Sequence, residues 1–153
     1  MSYLRVLGSW SVLPAVLGLG CVAAVGQAVA APADGALAQS KVFPFDEMTV
    51  RTTARGGWSR DVVHGVLKTG EVVGMHESMQ PAGAEPVALH AIQHSELIMV
   101  QEGTVAFEHD GKSEKVGPGG VIYVAFGTMH RIKNVGDGPA KYFVVQVGGD
   151  TKK

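Results

Sequence analysis

The sequence predicts an all-β protein, either an antiparallel sandwich or a closed barrel, and three observations lead to this fold class. From Lys41 onward, apolar residues come in short segments that are separated by turn signals. Glycine is abundant, with 21 residues, whereas aromatic residues make up only 7% of the chain, and this composition is typical of turn-rich β proteins. No segment keeps a helical apolar period for more than two turns, so we do not expect a parallel α/β sheet.

Ten segments have the apolar content and spacing of strands in a single domain. Glycine-containing turns such as Thr69-Gly70 and Glu102-Gly103 separate them. Asp110-Gly111 is the strongest hairpin signal, because a two-residue primed turn needs positive φ at its central positions. The predicted strands are 41–53, 62–68, 71–79, 87–92, 96–101, 104–109, 112–116, 121–126, 129–134 and 140–148.

Composition and charge exclude several classes of protein. Thirteen Lys and Arg residues against 14 Asp and Glu residues give a formal charge of −1, so we do not expect nucleic-acid binding. Hydrophobic residues make up 46% of the chain and charged residues only 18%, which is not the composition of a disordered chain. Cys21 is the single cysteine, so an internal disulfide and a zinc site built on several cysteines are excluded.

The first thirty residues predict a signal peptide. Arg5 precedes an uncharged apolar stretch from Val6 to Ala30, and Ala28-Val29-Ala30 has the small-x-small pattern of a cleavage site. Ala36-Leu37-Ala38 offers another site, so cleavage is placed between residues 30 and 38. After cleavage the protein would be exported, periplasmic or secreted, and free of the membrane. The alternatives are a retained membrane anchor, since about 20 apolar residues can span a bilayer, and a lipoprotein cut before Cys21.

The remaining chain divides into two parts. Residues 31–40 are small and polar and predict a linker, and residues 41–150 predict the β domain. The predicted strand 41–53 is longer than the others. We expect a homodimer in which this strand adds to the sheet edge of another copy.

Two histidine clusters are the candidates for a functional site. The first is the run from His90 through His94 to Glu96, whose alternate residues would face the same way on an unbroken strand. Polar groups in a narrow interior are costly unless they are paired or bind a metal. Imidazole nitrogens with a carboxylate oxygen suit zinc, iron, manganese or nickel. The other cluster is His130 alone, which can join the first only through the fold.

These residues resemble the two sequence motifs of the cupin superfamily. One motif is similar to His-x-His, three or four residues, Glu, six residues and Gly, and it is matched by His90, Glu96 and Gly103. The other motif is similar to Gly-Asp followed by Pro-x-Gly-x-x-His-x-x-x-Asn, and it is matched in its Gly, His and Asn spacing by residues 119–134. The resemblance covers roughly residues 70–148.

The resemblance implies an antiparallel double-stranded β-barrel, or jelly roll, with room inside for one small ligand or ion. It also implies that His90, Glu96 and His130 hold a divalent transition metal (Fe, Mn, Ni or Zn), leaving open coordination positions. The later histidine of the His-x-His pair falls on Ile92, which cannot bind a metal. His94, two residues before Glu96, is then either a substitute ligand or the acid/base group of catalysis.

Three functions remain open at the level of sequence, and whether the protein is an enzyme is one of the open questions. The first is a metal-dependent enzyme of dioxygenase, isomerase or lyase type that acts on a small polar metabolite, with His94 as a catalytic residue. Another is a module without metal that binds a sugar or small acid in the same pocket, with Glu96 paired to His130. The third is a structural protein of the cell envelope with a retained anchor.

Two further side chains complete the expectations. His109 adjoins the Asp110-Gly111 turn, so we expect it to be exposed. Gln146 could face either the interior or the exterior of the predicted barrel.

Overall fold

The computed structural model describes residues 36–149, which contain ten strands and one short 3-10 helix. The predicted signal peptide (1–30) and the first half of the predicted linker lie outside the described residues. In chain order the elements are β1 (Ala36–Leu37), the 3-10 helix η1 (Phe45–Glu47), β2 (Val50–Thr52), β3 (Trp58–Leu67), β4 (Val72–Gln80), β5 (Ser95–Glu102), β6 (Val105–His109), β7 (Lys112–Val116), β8 (Val121–Val124), β9 (His130–Asn134) and β10 (Ala140–Val147).

The strands form two sheets. The larger sheet has the order β1-β3-β4-β10-β5-β8, with β2 also paired to β3, and all of its pairs are antiparallel except β1 with β3. The smaller sheet has the order β7-β6-β9 and is antiparallel. Strands that are distant in sequence are neighbours in both sheets, as in a double-stranded β-barrel or jelly roll. The predicted all-β fold class is confirmed.

The core lies between the two sheets because alternate residues of their strands face each other. On β5, Ile98 and Val100 are buried while Leu97 is 42% exposed, and on β10 the buried residues Tyr142 and Val144 follow the same alternation. The core consists of Ile92, Ile98, Val100, Val105, Phe107, Ile122, Val124, Ile132, Ala140, Tyr142 and Val144, with Val116 packed against it.

The hairpin predicted at Asp110-Gly111 is present between β6 and β7. Asp110 has φ 46° and Gly111 has φ 73°, so both central positions adopt the left-handed region that a primed turn requires. The register confirms a two-residue loop, because His109 pairs with Lys112.

The predicted strand 41–53 is wrong as a single strand, because this segment contains η1 and only the short β2. Pro44 precedes η1 and has no amide hydrogen to donate to a sheet. Val42 and Phe45 are 81% and 65% exposed, so extending the strand would not bury them. The Phe45 ring instead stacks on the guanidinium of Arg60, whose central carbon lies 3.4 Å from the ring centroid. The edge-strand argument for a homodimer is therefore lost.

Two other predicted boundaries differ from the structure. Residues 87–92 form no strand and contribute only an isolated bridge at His90. β3 begins at Trp58 rather than at residue 62, and Trp58 pairs with Met79. Gly57 makes this early start feasible, because a Cβ atom there would lie 2.3 Å from the carbonyl oxygen of Met79.

Gln80 and Asn134 connect the two sheets at one end of the core. The Asn134 backbone N–H donates to Gln80 Oε1 (2.9 Å), and Asn134 Nδ2 donates to the Gln80 carbonyl oxygen (2.9 Å). Gln80 Nε2 donates to the carbonyl oxygen of Ile132 (3.2 Å) and to the Tyr142 hydroxyl (2.8 Å). We call Gln80 and Asn134 the inter-sheet clamp, since each amide bonds to the opposite sheet.

Within residues 36–149, no helix is long and apolar enough to cross a membrane.

Candidate functional site

The fold brings the two histidine clusters together. His90 and His130 form an antiparallel bridge in which the His90 N–H donates to the His130 carbonyl (3.0 Å) and the His130 N–H donates to the His90 carbonyl (2.9 Å). Their ring centroids are 4.8 Å apart. His130 is 2% exposed, whereas His90 is exposed to solvent. The site therefore has a buried member at the start of β9 and an accessible member in the preceding loop.

The prediction that alternate residues of 90–96 share one face of a strand is correct only in part. Ile92, His94 and Glu96 are each buried to at least nine-tenths, and they alternate with exposed or half-buried neighbours. The chain is extended as a strand only from Ser95 onward, so His90 reaches the site through its bridge to His130 rather than through strand alternation.

Both imidazoles are held in the same orientation. His90 Nδ1 lies 3.1 Å from the Ala88 carbonyl oxygen, and His130 Nδ1 lies 2.9 Å from the Thr128 carbonyl oxygen. A carbonyl oxygen only accepts, so each Nδ1 carries the proton in these hydrogen bonds. In the neutral ring, Nε2 is then left with its lone pair, which is the arrangement found in metal-binding histidines.

Glu96 uses its two oxygens differently. Oε1 accepts hydrogen bonds from His94 Nε2 (3.0 Å) and from Gln146 Nε2 (3.2 Å). Oε2 lies 3.8 Å from His130 Nε2. Because Glu96 is 7% exposed, the two donors to Oε1 hold the buried carboxylate in place, and Oε2 is the oxygen directed at the His90/His130 side of the site.

Gln146 is a site residue that the sequence did not identify. It lies on β10 directly opposite Glu96 and faces the interior with Val144 and Tyr142. Gly74, opposite Gln146 on β4, leaves room for this side chain, since a Cβ atom at Gly74 would lie 2.8 Å from Gln146 Oε1. The alternation of apolar residues along 140–146 was the available signal, but it could not tell which face was the interior.

His94 contacts Glu96 at Oε1, whereas His130 lies nearest to Oε2. His94 Nε2 donates to Glu96 Oε1, and the His94 side chain is about one-tenth exposed. This geometry directs the His94 proton at the carboxylate, where it helps to fix the orientation of Glu96.

Tyr142 shares the interior face of β10 with Gln146 and responds to the charge of the site. Burial is the main cause that raises the pKa of the Tyr142 hydroxyl to about 12, and the negative charge of Glu96 adds to it, while the hydrogen bond from Gln80 opposes it. The phenol is therefore protonated at physiological pH and is available as a hydrogen-bond donor.

His109 is less exposed than the sequence suggested, with a side chain 18% exposed. It pairs with His130 in the sheet register and stacks on the ring of Phe107, with centroids 4.3 Å apart. Its Nδ1 lies 3.0 Å from Asp110 and its Nε2 lies 2.8 Å from Glu114. Hydrogen bonds to these two carboxylates raise the pKa of the His109 imidazole, and the bond to Glu114 has the larger effect.

The donor atoms of His90, Glu96 and His130 suit a divalent transition metal, but the three side chains do not converge closely enough to hold one. Among the described residues, no three or more His, Cys, Asp or Glu side chains converge tightly enough to hold a metal ion. Two donors bound at about 2.0–2.2 Å to one ion can be at most about 4.3 Å apart. The 3.8 Å between Glu96 Oε2 and His130 Nε2 meets this limit. At least one of the three side chains would have to move to complete the set.

Ile92 occupies the position at which the resemblance places a further histidine. It is 8% exposed and belongs to the apolar core. Its carbonyl oxygen accepts a hydrogen bond from the Gly127 N–H (3.0 Å), which holds the loop that leads to His130. Ile92 thus supplies packing where a metal site of four protein ligands would have a donor.

Comparison with known sequences identifies a protein family. Residues 75–146 match the family model described as a cupin domain, and this segment runs from β4 to β10 and includes all of the site residues named above. No curated protein is significantly similar to the chain in sequence.

Several solved structures share the fold. An RmlC-like cupin from Shewanella frigidimarina has a TM-score of 0.60 at 19% identity, over 74% of this chain and 96% of that one. A predicted oxalate decarboxylase from Thermotoga maritima has a TM-score of 0.55 at 22% identity, over 70% and 98%. A sugar phosphate isomerase from Silicibacter pomeroyi has a TM-score of 0.55 at 20% identity, over 69% and 74%. At these identities the similarity concerns the fold and leaves the reaction open.

Proposed function

Because the chain belongs to the cupin superfamily, we propose that it binds a divalent transition metal through His90, Glu96 and His130 and acts on a small polar metabolite. The observation that carries the proposal is the common orientation of the donors. Two imidazoles have Nδ1 engaged by backbone carbonyls, and one carboxylate has Oε1 engaged by side chains. The atoms that remain are two Nε2 lone pairs and Oε2, a donor set suited to Fe, Mn, Ni or Zn.

Each neighbouring side chain has a distinct task in this proposal. Gln146 and His94 hold Oε1 of Glu96, so that only Oε2 is directed at the ion. The Nε2 proton of His94 is shared with a buried carboxylate, which makes His94 the residue best placed to hold or move a proton. A bound divalent ion would supply Lewis-acid polarisation of a substrate oxygen.

The structural neighbours support an activity on small molecules. They include a predicted oxalate decarboxylase and a sugar phosphate isomerase. We therefore propose a reaction of dioxygenase, isomerase or lyase type, and the reaction itself has to be determined by assay.

The direct test is the metal content of the full chain, measured by elemental mass spectrometry. We expect near-stoichiometric metal in the wild-type protein and loss of metal in His90→Ala and Glu96→Gln. His109→Gln is the matched control, because His109 lies in the same row of the smaller sheet but outside the proposed donor set. A wild-type protein that stays empty after incubation with each metal would disprove the proposal, as would full occupancy in both site variants.

Another candidate function is binding of a sugar or small acid without a metal. The burial of Ile92 in the apolar core favours it, because the site then has one donor fewer than the family motif provides. In this case Glu96 and His130 would form a buried hydrogen-bonding pair. A metal-free protein whose unfolding temperature rises with a small acid or sugar would support this candidate over the first.

We further propose that the protein is exported after cleavage between residues 30 and 38. Mass spectrometry of the amino terminus in the periplasm or culture medium tests this proposal. An intact amino terminus in the membrane fraction would instead support the envelope protein with a retained anchor.

A homodimer is also proposed, on different grounds from the predicted edge strand. The outward face of β5 and β8 exposes Leu97, Val121 and Tyr123, which are 42%, 59% and 63% exposed. Covering adjacent apolar side chains would favour association of two copies. Solution scattering gives the mass, and a monomer at all concentrations would refute the dimer.

A further inference from the structure

A pocket outside the candidate metal site lies at the end of the larger sheet that is distant from Glu96. Its floor is a row of three hydroxyl residues on adjacent strands, in which Ser59 pairs with Ser78 and Ser78 pairs with Tyr142. Cross-strand pairs of this kind have Cβ atoms about 4.5–5.5 Å apart, so the three side chains line one side of a cavity of about 140 Å³. Tyr142 and Gln146 are four positions apart on β10, which corresponds to about 13 Å.

The hydroxyls of this row have hydrogen-bond donors and acceptors that are not used within the protein. Ser59 and Ser78 are half-buried, and within residues 36–149 their hydroxyls have no hydrogen-bond partner. The Tyr142 hydroxyl accepts from Gln80 Nε2 (2.8 Å) and retains its own proton for donation. Gln80 itself is fully used by the inter-sheet clamp. Three residues with unused hydroxyl hydrogen-bonding capacity therefore line the same cavity.

The rim of the pocket carries one group of each charge. Arg55 and Glu85 are both exposed, and neither forms an ion pair or side-chain hydrogen bond with another described residue. The apolar residues Pro81, Ala84 and Val87 also line the pocket. Opposite formal charges at the rim cancel, so the pocket does not favour a net anion or a net cation.

We propose that this pocket binds a neutral polyol no larger than a single sugar ring. A hydroxyl group both donates and accepts, so each hydroxyl of a polyol can pair with a serine or tyrosine hydroxyl of the floor. Arg55 adds donors and Glu85 adds an acceptor at the rim. Because typical drug-sized sites have about 300–1,000 Å³, the 140 Å³ of this pocket limits the ligand to a small molecule. The pocket is separate from Glu96 and His130, so this inference does not depend on metal binding.

The test is a titration of the ¹⁵N-labelled full chain with D-glucose, D-galactose and D-mannose, followed by amide chemical shifts. We expect saturable shifts at Gly57, Ser59 and Ser78 with at least one hexose, and no shifts at Glu96 or His130. Ser78→Ala should weaken binding about 5- to 10-fold, as expected for one lost hydrogen bond. Ser113→Ala on β7 is the matched control and should bind as the wild type does.

Arg55→Gln provides a variant that keeps the floor intact, because Arg55 is exposed and unpaired among the described residues. Arg55→Gln should also weaken hexose binding, so the proposal can still be tested if Ser78→Ala fails to fold. The proposal is overturned if none of the three hexoses gives saturable shifts at concentrations on the order of 100 mM. It is also overturned if D-gluconate binds more tightly than D-glucose, which would make the pocket an anion site, or if the shifts occur at His130 rather than at Ser59 and Ser78.

Discussion

Gln146 Nε2 donates a hydrogen bond to Glu96 Oε1 from the adjacent strand, at 3.2 Å. His94 Nε2 donates to the same oxygen at 3.0 Å. The carboxylate of Glu96 is therefore fixed before any ligand arrives, and its other oxygen is directed at His130. This relationship makes Gln146 a positioning residue for the proposed metal centre.

Replacing Gln146 with Leu should weaken metal binding without unfolding the protein. Loss of a residue that orients a metal ligand typically costs about 10- to 100-fold in affinity, and we expect a decrease in that range. Competition with a chelating dye measures it. Gln101→Leu, at an exposed position on the neighbouring β5, should leave the affinity unchanged. Equal affinity in the Gln146 variant would show that Glu96 is oriented by other contacts.

Removing the side-chain amide of Asn134 should destabilise the fold. Nδ2 donates to the carbonyl oxygens of Gln80 (2.9 Å) and Gly138 (2.8 Å), and Oδ1 accepts from the Gly136 N–H (3.0 Å). Asn134 is 5% exposed, so Asn134→Ala removes three hydrogen bonds from a buried position and should cost about 2–4 kcal/mol. Urea denaturation measures the loss. Lys133→Ala, next to it on β9, should change stability by less than about 1 kcal/mol.

Two glycines should respond very differently to substitution by alanine. At Gly103, which has φ 75°, a Cβ atom would lie 2.4 Å from the Pro139 carbonyl oxygen, so we expect a loss of about 2–4 kcal/mol. At Gly74 the clash is with the flexible end of Gln146, so the loss should stay near ~1 kcal/mol. Gly74→Ala should instead weaken metal binding by displacing Gln146. Thermal unfolding measures the stability of both variants, and competition with the chelating dye measures their metal affinity. Equal destabilisation by Gly103→Ala and Gly74→Ala would contradict this prediction.

Stability should fall as pH rises through the titration of His109. Hydrogen bonds to Glu114 and Asp110 raise the pKa of the folded imidazole above the unfolded value of about 6.5. The folded state thus binds the proton more tightly, and this contribution is complete below the unfolded pKa and is lost as pH rises through the folded pKa. His109→Gln should remove this part of the pH dependence. Urea denaturation at pH values on both sides of about 6.5 tests it, and identical profiles for the variant and the wild type would contradict it.

The all-β fold class and most of the strands could be predicted from local patterns, and the same patterns nominate His90, Glu96 and His130 as candidate metal ligands. Turn residues such as Asp110-Gly111 act within a few positions, and the spacing of Glu96, Gly103 and His130 is visible in the sequence itself. Gln146 could not be assigned because its role depends on β10 lying between β4 and β5, a pairing of strands that are far apart in the chain. The segment 41–53 was misjudged because apolar residues there stay exposed or pack on Arg60.

Asn134 of the inter-sheet clamp and His130 of the candidate site lie at opposite ends of β9. Asn134 and His130 are separated by the length of β9, which is about 13 Å. Glu96 belongs to the larger sheet and His130 to the smaller one. The hydrogen bonds of Gln80 and Asn134 fix the spacing of these two sheets at the far end of β9. The clamp therefore contributes to the distance between Glu96 and His130 as well as to the stability of the barrel.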